Sequence, residues 1–573
     1  MIPANQSRKQ KKKASPLAIV FKLFFAVAVV LFIVFLWNRY SLTTERADLN
    51  KYIGASGENV AIYFNDERDI SDGKLSVGLC QNNATYLSLS YVHDKLNERF
   101  YYAQDIKKIL YSLLDMTLSY GETDIHQVGN APYLLLKEEP YILIDFVKDH
   151  TNMRFEQYLE EENKRVYIYT DWVSENIAYL KNSEAARVRG GNKSPIVVDC
   201  KKGEEVKILT KDTKWSKVKT KSGYIGYVRN TRLNNETSII PESSYVEEKR
   251  DQITIPGKVV LGWHQVLSTY PSNKITDLVK NAKDDMNVIA PTWFTIKNNN
   301  GEIRSIANIQ YTSVCHQKGM QVWGVVDNFN LGNLNNKKIF SNTLTRKKMI
   351  TKILREVTVN NLDGINLDIE NLKEDEGEDY MQFVRELSIE MLKINKTLSV
   401  DSYVPYNFND HYNLSEFNHF CDYVIIMCYD ENYNGSKAAG SVSSIGFVNR
   451  GIEETMKEVS SDKIVIGLPF YTRIWATEPD GTVSSAALDS KAAYDEATKR
   501  GIKFAFDEET EQNYGSIIDN KGRKVECWME DETSLMFKMA TIRAHALAGT
   551  AAWKLTQEKP DFFKIINLNK NES

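Results

Sequence analysis

The chain has 573 residues, of which 42% are hydrophobic and 26% are charged, and its net charge is −4. These ordinary globular values exclude a wholly disordered chain and a membrane protein with many spans. A nearly neutral chain with no concentrated basic stretch beyond its N-terminus also does not suit nucleic acid as the main ligand. At roughly 150 residues per domain, the length predicts about three or four domains.

The N-terminus carries a targeting signal. A basic run, RKQKKK at residues 8–13, lies in a predicted cytoplasmic tail of residues 1–14, and an apolar stretch at 17–37 follows, broken only by Lys22. About 20 apolar residues span the hydrocarbon core of a bilayer, and a basic flank favours the cytoplasmic side. We therefore predict an uncleaved, single-pass signal-anchor in the cell membrane over residues 15–38, with the rest of the chain extracellular. A cleaved signal peptide is the alternative.

A weak internal repeat follows the apolar stretch. Residues 86–100 align with residues 141–155 at a constant offset of 55, and a β-rich stretch follows each copy. Repeated units of strand, helix and strand indicate a duplicated small α+β module, which is predicted over residues 48–172. The pattern resembles the copper amine oxidase N-terminal-like repeat domain of exported Gram-positive proteins. This resemblance implies a role in spacing or wall contact, without copper chemistry.

Short alternating strands separated by turn residues occupy residues 182–235 and predict a small β-barrel. The order RVR, KKGEEVKIL and KWSKVKTKSGYIGYV resembles a bacterial Src-homology-3-type (SH3-like) domain, which implies binding to the cell wall. A structural spacer is the alternative, with Trp215, Tyr224 and Tyr227 as core residues. The polar residues 236–252 predict a linker.

Residues 253–566 alternate eight β-like stretches with helical patterns. This alternation over about 310 residues predicts an α/β fold, the (β/α)8 or TIM barrel. A long gap between the last two strands, at about 476–530, predicts an inserted small α+β subdomain. The six scattered cysteines predict neither structural zinc nor a disulfide scaffold. A Cys421–Cys428 bridge is the alternative to two buried thiols.

One predicted barrel strand carries an alternating polar pattern, LDGINLDIENL, at residues 362–372. Because side chains of a barrel strand alternate between the lumen and the helix layer, we expect Asn366, Asp368 and Glu370 to point inward. Glu370 then lies at the carboxyl end of the strand, where barrel enzymes keep their chemistry. Crowded, buried carboxylates raise one another's pKa, which suits Glu370 to act as a general acid. Taken alone, the pattern also fits a metal site or a hydrogen-bonded polar core.

Further motifs occur in order along the same segment: MCYD ends the sixth strand, GLPFYTR ends the seventh, and AAWKL lies on the eighth. With DGINLDIE, they resemble the signatures of glycoside hydrolase family 18. The DGxNxDxE form and the WMED element at residues 528–531 resemble the cell-wall and spore-cortex lytic branch of that family. The resemblance implies a TIM barrel glycosidase that needs no metal or cofactor.

The resemblance implies a substrate-assisted mechanism. Glu370 would protonate the glycosidic oxygen and later act as the base toward water. Asp368 would hold the 2-acetamido group of the sugar and stabilise the charge on its nitrogen, and Tyr429 would hydrogen-bond the acetamido oxygen. The configuration at the anomeric carbon would be retained.

The resemblance also implies residues that contact the sugar or support the site. Trp553 would form the apolar floor under the reacting sugar, and Asp430 and Arg473 are candidates for hydroxyl contacts. Asp363 would be a buried support for the strand. A core role for Trp553 and Tyr429, and an ion-pair role for Arg473, are the alternatives.

Asn366 departs from the chitinase pattern, which usually has Asp at this position. Without that charge, Asp368 loses a proton-sharing partner, and we expect its titration and the pH optimum to differ. Because the cell-wall branch tolerates Asn here, the change indicates specificity more than inactivity.

We therefore expect a membrane-tethered, cell-surface glycosidase that cleaves β-1,4 bonds after N-acetylglucosamine in peptidoglycan, with contact to the wall through the SH3-like domain and no nucleic-acid partner. The same mechanism would serve chitin. A catalytically silent barrel that binds glycans is a further alternative, as is a surface scaffold in which the N-terminal modules carry the function.

Overall fold

The computed structural model describes residues 16–71, 73–282, 284–329 and 334–570. The predicted cytoplasmic tail and its basic run lie outside the described residues. The chain forms two compact units. One unit holds the residues up to Glu98 together with Glu122–Glu247, and the other holds Arg99–Gly121 together with the chain from Glu248 onward. The module predicted over residues 48–172 is therefore divided between the two units.

The first described element is a long apolar helix, Pro16–Tyr40. Its stretch Ile19–Tyr40 is long and apolar enough to cross a membrane. The predicted N-terminal apolar helix is thereby confirmed, and both a signal-anchor and a signal peptide have this length and composition. A short helix, Leu49–Ile53, follows, and the Asp48 side chain caps it by accepting a hydrogen bond from the Lys51 backbone N–H.

The first unit contains a mixed sheet that unites both repeat copies. Its strand order is Tyr133–Leu136, Glu139–Leu143, Ala84–Ser88, Val77–Gln81, Asn59–Phe64, Arg165–Tyr169 and Arg154–Tyr158, with Glu67–Arg68 beside Asn59–Phe64. A separate two-stranded hairpin joins Ile70–Ser71 to Lys74–Leu75. In each copy a strand runs directly into a short helix, which is Leu89–Lys95 in the first and Ile144–Asp149 in the second. Both copies thus share a strand that leads into a helix, while the duplicated module and its likeness to the copper amine oxidase N-terminal-like domain stay predictions.

The same unit holds a seven-stranded antiparallel sheet. Its order is Ile196–Cys200, Glu184–Arg187, Ile225–Arg229, Trp215–Thr220, Glu205–Lys211, Glu175–Leu180 and Leu233–Ile239, with a 3-10 turn at Asn230–Arg232. Tyr224 is buried in a core that also contains Tyr63 and Tyr167 of the first sheet. The SH3-like assignment stays a prediction, and this shared core joins the two sheets into one unit.

The second unit is built around a closed barrel of eight parallel strands. In chain order these are β1 (Val259–His264), β2 (Val288–Pro291), β3 (Gln321–Asp327), β4 (Gly364–Asp368), β5 (Thr397–Tyr403), β6 (Tyr423–Met427), β7 (Ile464–Pro469) and β8 (Gly549–Trp553). Each strand pairs with its neighbour in the chain, and β8 pairs with β1 to close the ring. The predicted α/β TIM barrel is confirmed.

Helices surround the barrel and cover its outer face. They are Ile275–Leu278, Ile309–Gln317, Asn336–Ser341, Thr343–Val359, Gly377–Lys393, Leu414–Phe420, Ile445–Thr455, Glu532–Ala544 and Phe562–Ile566, with 3-10 turns at Ser272–Lys274, Glu374–Glu376 and Asn407–Tyr412. A short hairpin, Phe294–Ile296 with Ile303–Ser305, extends the sheet beside β3. All six cysteines are buried free thiols, Cys421 and Cys428 included.

An inserted α+β subdomain separates β7 from β8. Its sheet order is Val483–Asp489, Tyr471–Thr477, Lys524–Met529, Gln512–Ile518 and Phe504–Asp507, with the helix Ser490–Arg500. The insertion begins at Tyr471, five residues before the predicted boundary at 476. Where its last strand leads back to the barrel, Glu530 and Lys538 form a fully buried ion pair with an O–N distance of 2.6 Å.

A small antiparallel sheet from the first repeat copy belongs to the barrel unit. We call it the 100–120 sheet, and its strands are Phe100–Ala103, Lys108–Ser112 and Thr117–Tyr120. The buried Tyr101 donates its hydroxyl hydrogen to Asp379 Oδ1 at 2.5 Å, and its ring lies 5.1 Å from the Arg346 guanidinium. The Gln382 amide donates to Ser112 Oγ at 3.3 Å. These contacts join the 100–120 sheet to the helices outside β3 and β4.

Candidate active site

Strand β4 sorts its side chains as the alternation predicts. Ile365, Leu367 and Ile369 pack into the apolar layer between the strands and the surrounding helices. On the opposite face, Asn366 accepts a hydrogen bond at 2.9 Å from Nε1 of Trp263, a tryptophan of the barrel lumen. The polar positions of the strand therefore face the lumen.

Glu370 lies two residues beyond the end of β4 and is half-buried. Its Oε2 atom accepts a hydrogen bond from the Tyr403 hydroxyl at 2.8 Å. The Asn328 side chain fixes its backbone on both sides, since Nδ2 donates to the Glu370 carbonyl at 2.8 Å and Oδ1 accepts from the Glu370 N–H at 3.1 Å. Burial raises the pKa of Glu370, while the hydrogen bonds from Tyr403 and Asp368 oppose that rise.

Asp368 is buried at the end of β4, and a second buried carboxylate, Asp401, lies on the neighbouring strand β5. Burial raises the pKa of Asp368, and the negative charges of Asp401, Glu370 and Asp327 raise it further. Burial also raises the pKa of Asp401. Among the described residues, Asp368 Oδ1 has no hydrogen-bond partner. This carboxyl group therefore favours its protonated form.

Asn366 connects the two strands through its side-chain amide. Its Nδ2 atom donates to Asp401 Oδ1 at 2.7 Å and to Ser399 Oγ at 3.1 Å. The Trp263 N–H donates to its oxygen, so the orientation of the amide is fixed from both ends. Asn366 is fully buried.

Three aromatic residues form an apolar wall beside the carboxylates. The ring centroid of Trp263 lies 6.0 Å from that of Trp553, at the end of β8, and 6.3 Å from that of Tyr429, which follows β6. Burial raises the pKa of Tyr429, and the nearby charge of Asp368 adds to the rise. Tyr429 therefore stays protonated and can donate a hydrogen bond.

Asp430 and Arg473 lie together beside this wall. Asp430 Oδ1 accepts a hydrogen bond from the Tyr471 hydroxyl at 2.6 Å and lies 3.6 Å from Nη2 of Arg473. Arg473 also donates from Nη1 to Ser485 Oγ at 3.2 Å. The ion-pair role considered for Arg473 is thus present, and the pair links the loop after β6 to the first strand of the insertion.

The sequence profile of glycosyl hydrolases family 18 matches residues 272–558, which is half of the chain. The chain belongs to glycosyl hydrolase family 18. Family membership makes it a glycosidase, and the predicted family is confirmed.

Relatives of this family 18 chain include an uncharacterized glycosylase, YvbX, of Bacillus subtilis, with 25% identity over 293 residues, 49% of this chain and 84% of that protein. The cortical fragment-lytic enzyme of Bacillus subtilis is 24% identical over 239 residues, 40% of this chain and 54% of that enzyme. The chain therefore spans about half the length of the lytic enzyme. The predicted likeness to the spore-cortex lytic group is supported by this match.

A solved structure gives the same fold. The crystal structure of the Bacillus cereus spore cortex-lytic enzyme SleL aligns with a TM-score of 0.50 at 20% identity, and the alignment covers 58% of this chain and 78% of that chain. At this identity the likeness concerns the fold alone.

Asp363 lies at the other end of β4 in the family 18 barrel. Its Oδ2 atom is 2.8 Å from His316 Nε2 and accepts a hydrogen bond at 2.8 Å from the Val322 N–H, at the start of β3. The side chain is 25% exposed, so this support is half-buried instead of fully buried as expected.

Sequence reasoning missed several polar residues of the family 18 site, namely Asp327, Asp401 and Tyr403. The signal for two of them was available, because LSVDSYVPY places Ser399, Asp401 and Tyr403 at every second position of β5, as in β4. Asp327 ends β3 opposite Asp368, and burial raises its pKa to about 6.

In the described part of the chain, no group of three or more histidines, cysteines or acids could hold a metal ion.

Proposed function

We propose that this family 18 protein is a membrane-anchored, cell-surface glycosidase that hydrolyses β-1,4 bonds after N-acetylglucosamine in peptidoglycan, by retaining, acetamido-assisted catalysis. The observation that carries the proposal is the cluster at the carboxyl ends of β4, β5 and β6. There, Glu370 accepts a hydrogen bond from Tyr403 and lies near Asp368. Tyr429 is close enough to Asp368 for the charge of that carboxylate to raise the pKa of the Tyr429 hydroxyl.

Glu370 carries out the proton transfers. Its raised pKa favours the protonated form, from which it gives its proton to the glycosidic oxygen as the bond to the anomeric carbon breaks. The carbonyl oxygen of the substrate's own 2-acetamido group forms the new bond to that carbon, which gives an oxazolinium ion. The Glu370 carboxylate then takes a proton from water, and the water oxygen attacks the anomeric carbon as the bond between that carbon and the acetamido oxygen breaks. The two inversions together retain the configuration.

Asp368 and Tyr429 act on the acetamido group. Tyr429, protonated because of its raised pKa, donates a hydrogen bond to the acetamido oxygen and directs its attack. Asp368 accepts a hydrogen bond from the acetamido N–H. Once its proton has moved to Glu370 along the hydrogen bond between them, the Asp368 carboxylate balances the positive charge that develops on the acetamido nitrogen. Trp553 would stack on the apolar face of the sugar, and the paired Asp430 and Arg473 would contact its hydroxyls.

Peptidoglycan is the preferred substrate for two reasons. The chain resembles a cortical fragment-lytic enzyme and shares its fold with a spore cortex-lytic enzyme, and the names of both refer to spore cortex. The apolar helix Ile19–Tyr40 would also hold the barrel at the cell surface, beside the wall. Chitin carries the same acetamido group and is the second candidate substrate.

The decisive experiment incubates the full chain, in detergent micelles, with purified peptidoglycan and separately with chitin oligomers. New reducing ends and the anomeric configuration of the first product are measured, the latter by proton NMR. New reducing ends from peptidoglycan, with retained anomeric configuration, support the proposal. New reducing ends from chitin alone would identify chitin as the substrate instead.

The Glu370→Gln variant and a matched Glu374→Gln variant complete this test. Removal of a general acid lowers kcat by about 10²- to 10⁴-fold, whereas Glu374 is exposed in the 3-10 turn Glu374–Glu376 and its variant should keep full activity. If the unmodified chain binds glycans but releases no reducing ends from either substrate, it is a glycan-binding barrel and the proposal fails.

A further inference from the structure

The lumen at β4 and β5 contains more carboxylates than the proposed chemistry uses. Asp368 and Glu370 have roles in the proposed function, but Asp401 has none, although it is only 3% exposed. An unused buried charge is costly, since it loses its hydration without an ion-pair partner. A role for Asp401 is therefore expected.

The hydrogen bonds around Asn366 determine which carboxyl group carries the negative charge. Trp263 donates to the Asn366 oxygen, so the Asn366 NH₂ group must face β5, where Asp401 Oδ1 accepts from it at 2.7 Å. A donated hydrogen bond favours the ionised form of a carboxyl group. Asp368 Oδ1 receives no such donor among the described residues. The negative charge is therefore more stable on Asp401 and the proton more stable on Asp368.

The protonated Asp368 in turn hydrogen-bonds the Glu370 carboxyl group. That contact raises the pKa of Asp368 and lowers the pKa of Glu370. The strongest influences on Asp368 besides burial come from acids, with Asp401 first among them. Of the two buried carboxyl groups, Asp401 thus gives up its proton first and Asp368 keeps its proton beside Glu370, with the neutral Asn366 between them.

We propose that Asp401 is a positioning residue. It supplies from β5 the second carboxylate that β4 lacks because it carries Asn366, and its negative charge keeps Asp368 protonated when no substrate is bound. This proposal rests on the proposed function, in which Asp368 and Glu370 perform the reaction. Asn366 acts as the neutral spacer, because its amide binds Asp401 without adding a third charge on the same strand.

Other titratable groups also face the pair, and their places in the fold are known. They are Asp327 on β3, Glu370 after β4, Tyr403 on β5, Tyr429 after β6 and Tyr380 on the helix Gly377–Lys393. The tyrosines stay neutral at working pH, because burial raises the pKa of each. A change at Asp401 therefore alters the charge near Asp368 and Glu370.

Three variants of the full chain test this inference. Asp401→Asn removes the charge and keeps the shape of the side chain. Ser399→Ala is the matched control, because it removes the other acceptor of the Asn366 amide without changing any charge. Asn366→Asp with Asp401→Asn returns the carboxylate to β4 and restores the number of acids in the lumen.

The first measurement is the pH profile of kcat/KM on the substrate identified above. Loss of a nearby negative charge lowers the pKa of the Asp368–Glu370 pair, so Asp401→Asn should move both limbs of the bell-shaped profile to lower pH by about one unit. Ser399→Ala should leave the profile in place, and the double variant should return it toward the original pH. A folded Asp401→Asn variant with an unchanged profile overturns the proposal, as does an equal shift in Ser399→Ala.

The second measurement does not require activity. A carboxyl group whose pKa is raised by folding stabilises the protein at low pH, and this contribution is lost as the pH rises through the folded pKa. The melting temperature of the original chain should therefore fall relative to that of Asp401→Asn as the pH rises above the unfolded aspartate pKa of about 4. If the chain hydrolyses neither glycan, the proposed function fails while this comparison still decides whether the charges are coupled, and parallel melting curves overturn the coupling.

The proposal can be tested even if the Asp401→Asn variant does not fold. Should Asp401→Asn fail to fold, the double variant is compared directly with the original chain. A profile within about half a pH unit of the original then supports the role of the charge. A natively folded double variant whose kcat has fallen 100-fold or more overturns it.

Discussion

The Tyr403 hydroxyl donates a hydrogen bond to Oε2 of Glu370 at 2.8 Å, so the proposed proton donor is held by a residue of the adjacent strand. The same hydroxyl accepts a hydrogen bond from the Asn371 N–H at 3.3 Å. Tyr403 therefore fixes both the side chain of Glu370 and the backbone that follows it. The first prediction concerns this contact.

Replacing Tyr403 with Phe should move the alkaline limb of the kcat/KM profile to higher pH. The Tyr403 hydrogen bond favours the ionised form of Glu370 and lowers its pKa, so its loss raises that pKa. A hydrogen bond to a charged group is worth about 1.5–3 kcal/mol, which corresponds to one to two pH units. Tyr423→Phe is the matched control, because the buried Tyr423 hydroxyl accepts a hydrogen bond from the Ile255 N–H instead. A limb that stays in place in Tyr403→Phe contradicts the assignment of Glu370 as the acid.

Replacing Tyr429 with Phe should lower kcat by about 10²-fold and leave KM nearly unchanged. The loss of a donor that acts mainly in the transition state reduces kcat by this order. Steady-state kinetics on the accepted glycan measure both constants. A raised KM with an unchanged kcat would mean that Tyr429 contributes only uniform binding, and its role in directing the acetamido oxygen would be withdrawn.

Replacing Lys538 with Met should destabilise the barrel unit by about 3–5 kcal/mol at pH 8, because it leaves Glu530 buried without its cation. Burial already raises the pKa of Glu530 to about 7 in the presence of Lys538. A raised folded pKa stabilises at low pH, so the loss should shrink at pH 5, where Glu530 is neutral.

Urea denaturation at both pH values measures this effect. Lys491→Met removes an exposed ion pair with Asp495 and should leave the free energy of unfolding nearly unchanged. Equal losses in the two lysine variants at pH 8 would refute the prediction.

Replacing Tyr101 with Phe should destabilise the barrel unit by about 1–3 kcal/mol, because the Asp379 carboxylate loses the hydrogen bond that it accepts. Tyr101→Ala should cost about 3–5 kcal/mol, since it also leaves a cavity. Thermal melts measure both variants, with Tyr102→Phe, a half-buried neighbour on the same strand, for comparison. An unchanged melting temperature in Tyr101→Ala would show that the 100–120 sheet does not stabilise the barrel.

Export of the chain in a Gram-positive host should leave it in the membrane fraction with its apolar helix intact. The helix Pro16–Tyr40 is long enough to span a bilayer and carries Arg39 in its last turn. Mass spectrometry of the exported protein detects peptides from the helix if the anchor is retained. A mature protein that begins after Tyr40 and fractionates with the medium would identify a cleaved signal peptide.

Local periodicity was sufficient to predict much of the site. The period-two pattern of LDGINLDIENL placed Asn366 and Asp368 in the lumen, because side chains of every strand alternate between its two faces. The same rule applies to LSVDSYVPY and could have found Asp401 and Tyr403. They were missed because isolated Asp and Tyr residues in an apolar strand have many structural roles, and only the closure of the barrel brings β5 beside β4.

Contacts between distant segments were not predictable from the sequence. The two repeat copies have similar patterns, yet the hairpin of the second copy, Arg154–Tyr169, joins the sheet of the first unit, whereas the 100–120 sheet packs in the barrel unit. The difference depends on partners such as Asp379 and Gln382, which lie more than 250 residues away in the chain. The start of the insertion at Tyr471 was also missed. The β-like pattern of β7 continues through Tyr471 and Arg473 without a break, so the sequence shows no boundary there.

The division of the first repeat copy constrains how the enzyme matures. The chain passes between the two units three times, at Glu98, at Gly121 and at Glu247. Its 100–120 sheet is synthesised long before its partners Arg346, Asp379 and Gln382. The folding of this early segment therefore depends on helices that are synthesised much later. A fragment that begins at residue 253 would lack the 100–120 sheet and its contacts with the helices outside β3 and β4.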